Sequence, residues 1–339
     1  MKLIRTEEAV GHVLCHDMTQ IIPGVFKGAR FRKGHIVTEE DIPVLLSMGK
    51  ENLYVWEKTE GMLHEDEAAL RLQELCISDH MHGTEVKEGK TELIADTDGL
   101  FTVDAKRLYA VNAIEEIMIA TRKTFTPVHT GDKLAGMRVI PLVIKAEKLD
   151  RAKEAAGSEP LLRILPWQRK TAAVIATGSE IEKGLIEDRF TPVVEKKLAA
   201  FGIETVSCVR SGDDMERITG EIRKAHEAGA ELIICTGGMS VDPDDRTPGA
   251  MARSGAGIVT YGAPTLPGAM FCLGYFEDGT PVAGLPGCVM FAKTTIFDIV
   301  LPRLAADVPV TREDIIRLGH GGLCLGCETC HYPICGFGK

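Results

Sequence analysis

No apolar run in the sequence reaches the ~18 residues that a membrane-spanning helix needs, so no membrane partner is expected. Positive charge is in deficit. Lys and Arg total 39 against 49 Asp and Glu, a formal net charge of -10. That balance argues against nucleic acid and anionic membrane surfaces as partners. It leaves room for a small anionic ligand held by a local glycine loop. The first residues, Met1-Lys2-Leu3-Ile4-Arg5, lead into mixed sequence without the apolar segment of a signal peptide. A cytoplasmic location with reduced thiols is therefore expected. Neither a G-x-G-x-x-G fingerprint nor a Walker A loop occurs, which disfavours nicotinamide and P-loop chemistry.

What is present suits a soluble globular chain of two or three domains: 339 residues, 45% apolar and 26% charged. Residues 1–60 read as a small β-rich module. It has a loose strand over Gly11–Met18, a short helix through Leu45, Leu46 and Met48, and a strand Leu53-Tyr54-Val55-Trp56. Residues 61–165 read as α+β, with helices from Glu65 to Leu75, Val111 to Ala120 and Asp150 to Ala156. His12, His16 and His35 are read as surface or hydrogen-bonded residues, since no tight ligand spacing links them.

From residue 166 to 310 the pattern changes to alternating strand and helix with short connections, the signature of βαβ units and a parallel sheet. Strands are expected at Ala172–Ala176, Ile203–Val209, Glu231–Cys235 and Gly257–Tyr261. A hairpin is expected around Asp278-Gly279, and a helix from Cys288 through Ile299. Three glycine loops then fall at strand ends: Thr177-Gly178-Ser179-Glu180, the stretch from Thr236 to Asp245, and Gly284-Leu285-Pro286-Gly287. Open α/β sheets bind ligands at that edge. Glycine lets backbone amides approach an anion closely. The middle loop adds Asp242, Asp244 and Asp245 directly after Gly237-Gly238. Two like charges ~4 Å apart repel by about 4 kcal/mol at an effective dielectric near 20. Either a divalent cation lies between those carboxylates and a phosphate, or they point elsewhere.

These segments resemble the molybdopterin-binding domain family, which includes molybdopterin molybdotransferases and adenylyltransferases. Thr177-Gly178-Ser179-Glu180, Asp213-Asp214, Thr236-Gly237-Gly238-Met239-Ser240, Pro267-Gly268 and Gly284-Leu285-Pro286-Gly287 occur in that family's order. The resemblance covers about 170–305. Less specifically, the first 165 residues resemble the extra domains of molybdotransferase-like proteins. It implies an α/β fold: a three-layer parallel-sheet domain preceded by a smaller β-rich and α+β region. It also implies a pocket for molybdopterin or its adenylylated form. Thr177, Gly178, Ser179, Glu180, Asp213 and Thr236 would line the pocket, and Gly237, Gly238 and Ser240 would cradle phosphate. Gly284, Pro286 and Gly287 would form the opposite wall. Asp214, Asp242, Asp244 and Asp245 would be the catalytic acids, holding Mg2+ or positioning molybdate.

The chain departs from the family pattern in three places. Ser179 stands where molybdotransferases carry aspartate, Asp242 replaces a glycine, and Cys288-Val289 replaces Asn-Pro. The resemblance implies a cofactor-maturation enzyme that assists molybdate insertion or transfer. The alternative is a non-catalytic molybdopterin carrier or sensor that docks to a molybdoenzyme, and a related nucleotide-processing hydrolase is a third reading. A homo-oligomer is expected, with a molybdoenzyme or another cofactor-maturation protein as partner.

Ten cysteines are present. Cys15, Cys76, Cys208, Cys235, Cys272 and Cys288 are scattered and read as small buried hydrophobes. Cys324, Cys327, Cys330 and Cys335 crowd into residues 311–339 as a tail of their own. Four thiolates at these spacings suit tetrahedral zinc or an iron-sulfur cluster, and His331 could replace one.

Overall fold

The computed structural model describes residues 2–55 and 60–339. Trp56, the last residue of an expected strand, lies outside them. The chain divides into two compact units. One comprises residues up to 97, 103–124 and 130–164; the other comprises 98–102, 125–129 and 165–339.

In the first unit, Lys2–Arg5 pairs antiparallel with Asn52–Val55, and Met18–Ile22 with Phe26–Phe31. Leu14, Met18, Phe31, Leu45 and Leu53 are buried together between these pairs and the helix Asp41–Ser47. The loose alternation from Gly11 is mostly not a strand. Val13 and Leu14 make single bridges, and the regular strand begins at Met18. A second, four-stranded antiparallel sheet runs in the order Met81–Gly83, Lys90–Ala95, Lys133–Val139, Ile117–Thr121. Helix Glu65–Cys76 buries Ala68, Ala69 and Leu72.

The expected helix Val111–Ala120 is corrected. The helix is Ala105–Asn112, started by the Asp104 side chain accepting from the Arg107 N–H at 3.0 Å. Glu116 then takes a φ of 72°, which ends any helical path, and Ile117–Thr121 becomes a strand. Asn112 spans the switch, donating to the Ile119 carbonyl at 2.8 Å and accepting from its N–H at 2.9 Å.

The second unit is built on a six-stranded sheet. Its strands are β1 (Thr171–Thr177), β2 (Glu204–Ser211), β3 (Ile233–Thr236), β4 (Gly257–Tyr261), β5 (Cys272–Tyr275) and β6 (Pro281–Leu285). The order is β2-β1-β3-β6-β5-β4. The first four neighbours run parallel, while β5 runs against both β6 and β4. The sheet is therefore mixed, because a short hairpin rather than a helical crossover joins β5 to β6.

Alternation along the strands makes the layers. Val174, Ile234 and Ala283 face one side with helices α1 (Phe190–Ala199) and α4 (Ile296–Ala305). Ala173, Ile175, Ile233, Cys235 and Val282 face the other with α2 (Met215–Glu227) and α3 (Thr247–Arg253). Helix α1 is started by Asp188, whose carboxylate accepts from the N–H groups of Phe190 and Thr191 at 2.9 and 3.0 Å. The helix expected from Cys288 breaks into a 3-10 turn, Gly287–Met290, and α4. A capping box of Thr295 and Asp298 starts α4 at Ile296. A last helix, α5 (Arg312–Arg317), precedes the cysteine-rich tail. No helix among the described residues is long and apolar enough to cross a membrane.

Candidate functional site

The parallel strands β1, β2, β3 and β6 end together at Thr177, Ser211, Thr236 and Leu285. Their following loops share one sheet edge, and side chains stitch them to one another. Ser179 donates to Asp213 Oδ2 from its N–H at 2.9 Å and from its hydroxyl at 2.7 Å. Gly178 N–H donates to the Ser211 carbonyl at 3.0 Å. Glu182, after β1, forms an ion pair with Arg217 in the first turn of α2. The buried Thr177 hydroxyl donates to the Thr236 carbonyl at 2.9 Å and lies 3.1 Å from Thr247 Oγ1. Thr247 in turn donates to the Gly237 carbonyl at 2.9 Å from its hydroxyl, and to the Gly238 carbonyl at 3.1 Å from its N–H. No sequence motif marks Thr247, Glu182 or Arg217 as site residues.

The loop after β3 turns on two consecutive left-handed glycines, Gly237 at φ 83° and Gly238 at φ 56°. A Cβ on Gly237 would sit 2.3 Å from the Thr177 carbonyl oxygen, and one on Gly238 would sit 2.8 Å from Thr247 Oγ1. Both positions therefore require glycine. Met239 folds back beneath the loop against Gly284, where a Cβ would meet its sulfur at 2.6 Å. Tyr261 Oη lies 3.1 Å from the carbonyls of both Met239 and Ser240, so its proton is shared between them. Burial raises the Tyr261 phenol pKa, with lesser contributions from the Cys272 thiol and the Asp245 carboxylate. Ser240, Glu180 and Gly287 are exposed at the edge, and Pro286 is buried behind them. Thr236 Oγ1, buried at the end of β3, meets no protein partner.

The aspartates are disposed differently from the expectation. Asp214 caps α2, its carboxylate accepting from the Arg217 N–H at 2.8 Å. Asp242 and Asp245 close a turn on each other. The Asp245 N–H donates to the Asp242 carbonyl at 2.9 Å, and the Asp242 N–H donates to Asp245 Oδ2 at 3.2 Å. Asp244 is exposed, 3.9 Å from Arg246. Among the described residues, no three of His, Cys, Asp and Glu are gathered to hold one metal ion. Without a ligand, the acids expected to hold Mg2+ form one turn and one helix cap. The carboxylates stay apart because backbone N–H groups take two of them.

The same finding applies to the tail. Among the described residues, Cys324, Cys327, Cys330 and Cys335 are likewise not gathered as a metal-holding group. They line one cavity of about 520 Å³ instead. Of the scattered cysteines, Cys15, Cys76, Cys235 and Cys272 are buried as expected. Burial pushes the Cys76 and Cys272 thiols up to about 12. Cys208 is exposed and Cys288 half-buried, so those two are corrected. Of the three N-terminal histidines, His35 bonds Asp41 at 2.7 Å, whereas the half-buried His16 leaves Nδ1 without a protein partner.

Residues 173–306 match the model of a domain described as "Probable molybdopterin binding domain", and residues 3–57 that of a domain of unknown function. A "Probable FAD synthase" of Caenorhabditis briggsae is 34% identical over 85 residues, 25% of this chain and 16% of that protein. A CinA-like protein of Thermosipho melanesiensis is likewise 34% identical over 85 residues, covering 25% of this chain and 21% of its own. The matched stretch is thus only 16% to 21% of the length of these relatives. Among solved structures, the molybdopterin biosynthesis enzyme MoaB of Thermus thermophilus overlies 42% of this chain and 98% of its own, at 18% identity and a TM-score of 0.33. The likeness to the molybdopterin-binding domain family is thus carried by segment 173–306.

Proposed function

We propose that this chain binds molybdopterin, or its adenylylated form, at the shared edge of β1, β2, β3 and β6, and assists molybdate insertion or transfer. The observation that carries this reading is the Gly237-Gly238 turn. Two adjacent left-handed glycines, neither with room for a Cβ, bring bare backbone to the edge where open α/β sheets bind ligands. The family match over 173–306 supports the choice of ligand. Phosphate would sit on the amides of this turn, with Ser240 and Glu180 beside it. Magnesium keeps most of its water and takes one or two carboxylates plus the ligand's phosphates. Asp245 with the bound phosphate meets that need without an all-protein site.

A second reading has its own support. Asp214 and Asp245 are already occupied with backbone N–H groups, which suits a binding protein better than a hydrolytic centre. In that reading the chain carries the pterin to a molybdoenzyme or another maturation protein. A homo-oligomer is part of both readings.

One experiment separates them. The full chain is titrated anaerobically with molybdopterin, then incubated with adenylylated molybdopterin, Mg2+ and molybdate while AMP is measured. Binding with AMP release supports the enzyme, and Asp245→Asn then loses release at least tenfold while keeping pterin affinity. Binding without release supports the carrier. Failure to bind either pterin sinks both.

A further inference from the structure

The tail is unusual for a segment with almost no regular structure: it is fastened at many points to the second unit. The Cys324 N–H donates to the Leu266 carbonyl, and the Leu266 N–H to the Gly322 carbonyl, each at 2.8 Å. The Gly338 N–H returns to the Gly321 carbonyl at 2.9 Å, closing the tail on itself. The Tyr332 hydroxyl donates to the Asp298 carbonyl at 2.9 Å, and the Lys293 amine to the Glu328 carbonyl at 2.6 Å. Phe337 is buried. Two glycines make the closure: a Cβ on Gly321 would lie 2.3 Å from the Lys339 carbonyl oxygen, and one on Gly338 would lie 2.8 Å from Ile299.

What this closed loop surrounds is a cavity of about 520 Å³, lined by Cys324, Cys327, Cys330 and Cys335 together with Lys293 and Tyr332. Ordering a chain segment costs roughly 1–2 kcal/mol per residue in backbone entropy. A loop that spends this to arrange four thiols around one space is built for an occupant that thiolates bind.

The geometry points to a four-iron, four-sulfur cluster held by these four cysteines. A single zinc ion requires Zn–S bonds of about 2.3 Å, which draws tetrahedral thiolates to within ~4 Å of one another. All four thiols line a single cavity of about 520 Å³, more room than one ion fills. A cuboidal cluster takes one thiolate at each of four separate iron atoms and so holds its sulfurs farther apart around a larger centre. The C-x-x-C-x-x-C run suits three corners of a cube, and the longer gap to Cys335 lets the chain cross to the fourth. Each cysteine gives up its proton on binding, and the resulting anionic cluster lies beside the Lys293 ammonium. Thr294 Oγ1, 3.2 Å from Cys330 Sγ, is placed to donate to that sulfur. The cluster does not depend on the pterin reading, since it uses none of the glycine loops.

The test uses the full chain, reconstituted anaerobically with ferrous iron and sulfide, then desalted. About four iron and four sulfide per chain are expected, with broad visible absorbance and a paramagnetic signal after one-electron reduction. Cys324→Ser, Cys327→Ser and Cys330→Ser should each lower bound iron severalfold, whereas Cys208→Ser, outside the tail, should retain it. Thermal melting of each variant keeps loss of cluster distinct from loss of fold. If a variant does not fold, the wild-type stoichiometry and signal decide alone. One zinc per chain with no chromophore overturns the proposal. So does iron that survives equally in the tail variants.

Discussion

Ser179 donates both its N–H and its hydroxyl to the same oxygen of Asp213, at 2.9 and 2.7 Å, so the loop after β1 is pinned to the loop after β2. An aspartate at position 179 would set two carboxylates against each other, a repulsion of about 4 kcal/mol at ~4 Å and an effective dielectric near 20. The serine and Asp213 are thus matched, and this departure from the family pattern has a local physical reason. Ser179→Asp is expected to lower stability by about 1–3 kcal/mol in urea denaturation. Either Mg2+ or a second change, Asp213→Asn, should recover most of the loss. Ser179→Ala removes only the hydroxyl bond and is expected to cost about 1 kcal/mol.

Gly237 and Gly287 separate folding from binding at the same edge. Gly237→Ala places a Cβ 2.3 Å from the Thr177 carbonyl at a φ of 83°, so strain and overpacking add. A loss of at least ~2 kcal/mol is expected. A Cβ at Gly287 meets nothing within 4 Å, and the residue is exposed. Gly287→Ala should stay within about 0.5 kcal/mol of the parent in stability. Its effect should appear instead as weaker pterin binding in a titration.

The fold of the second unit was legible because strand and helix alternate there with glycine and proline at the joints. Strand Gly257–Tyr261 runs over the residues its punctuation marks. The stretch from Val111 to Ala120 was not legible, because its apolar residues satisfy both periods. Val111, Ile114 and Met118 lie at helical spacing, while Ile117 and Ile119 alternate as a strand. Tertiary contacts decided: Asn112 holds the strand by both faces of its amide, and Ile117 and Ile119 are buried. At the sheet edge the glycines announced themselves, since few other residues allow such turns. The threonines did not, because Thr177 and Thr247 meet only after 70 residues of chain have folded between them. The hydrogen bonds of the aspartates were hidden for a related reason. Charge in a sequence marks capacity to bind a cation, but a nearby N–H competes for it, as at Asp214 and Asp245.

Acid should act on the hairpin between β5 and β6. Asp278 accepts from the Thr280 N–H at 3.0 Å and bonds His226 at 2.9 Å, while the His226 ring stacks on Phe276 at 3.8 Å. The Thr280 bond first, and His226 second, lower its carboxyl from 3.8 to about 2. Because the folded value is depressed, the carboxylate's stabilisation is present above the unfolded value near 3.8 and is lost as pH falls towards about 2. The side chain is 58% exposed, so solvent screens the effect and the change should be small. Asp278→Asn is expected to melt slightly lower at neutral pH and to show a flatter melting midpoint across that acid window.

Asp214 offers the sharpest check on the reading of the acids. As an N-cap it satisfies one of the orphan N–H groups of α2, through the 2.8 Å bond from Arg217. Serine and asparagine cap nearly as well as aspartate, whereas alanine forfeits about 1 kcal/mol. Asp214→Ala should therefore lose roughly that amount in chemical denaturation, while Asp214→Ser and Asp214→Asn should remain close to the parent. If capping is the whole role, the serine and asparagine variants should also bind pterin and release AMP at parental rates wherever the parent does. A cap variant of parental stability that no longer supports release would return Asp214 to the catalytic acids, because only the carboxylate charge would then distinguish it.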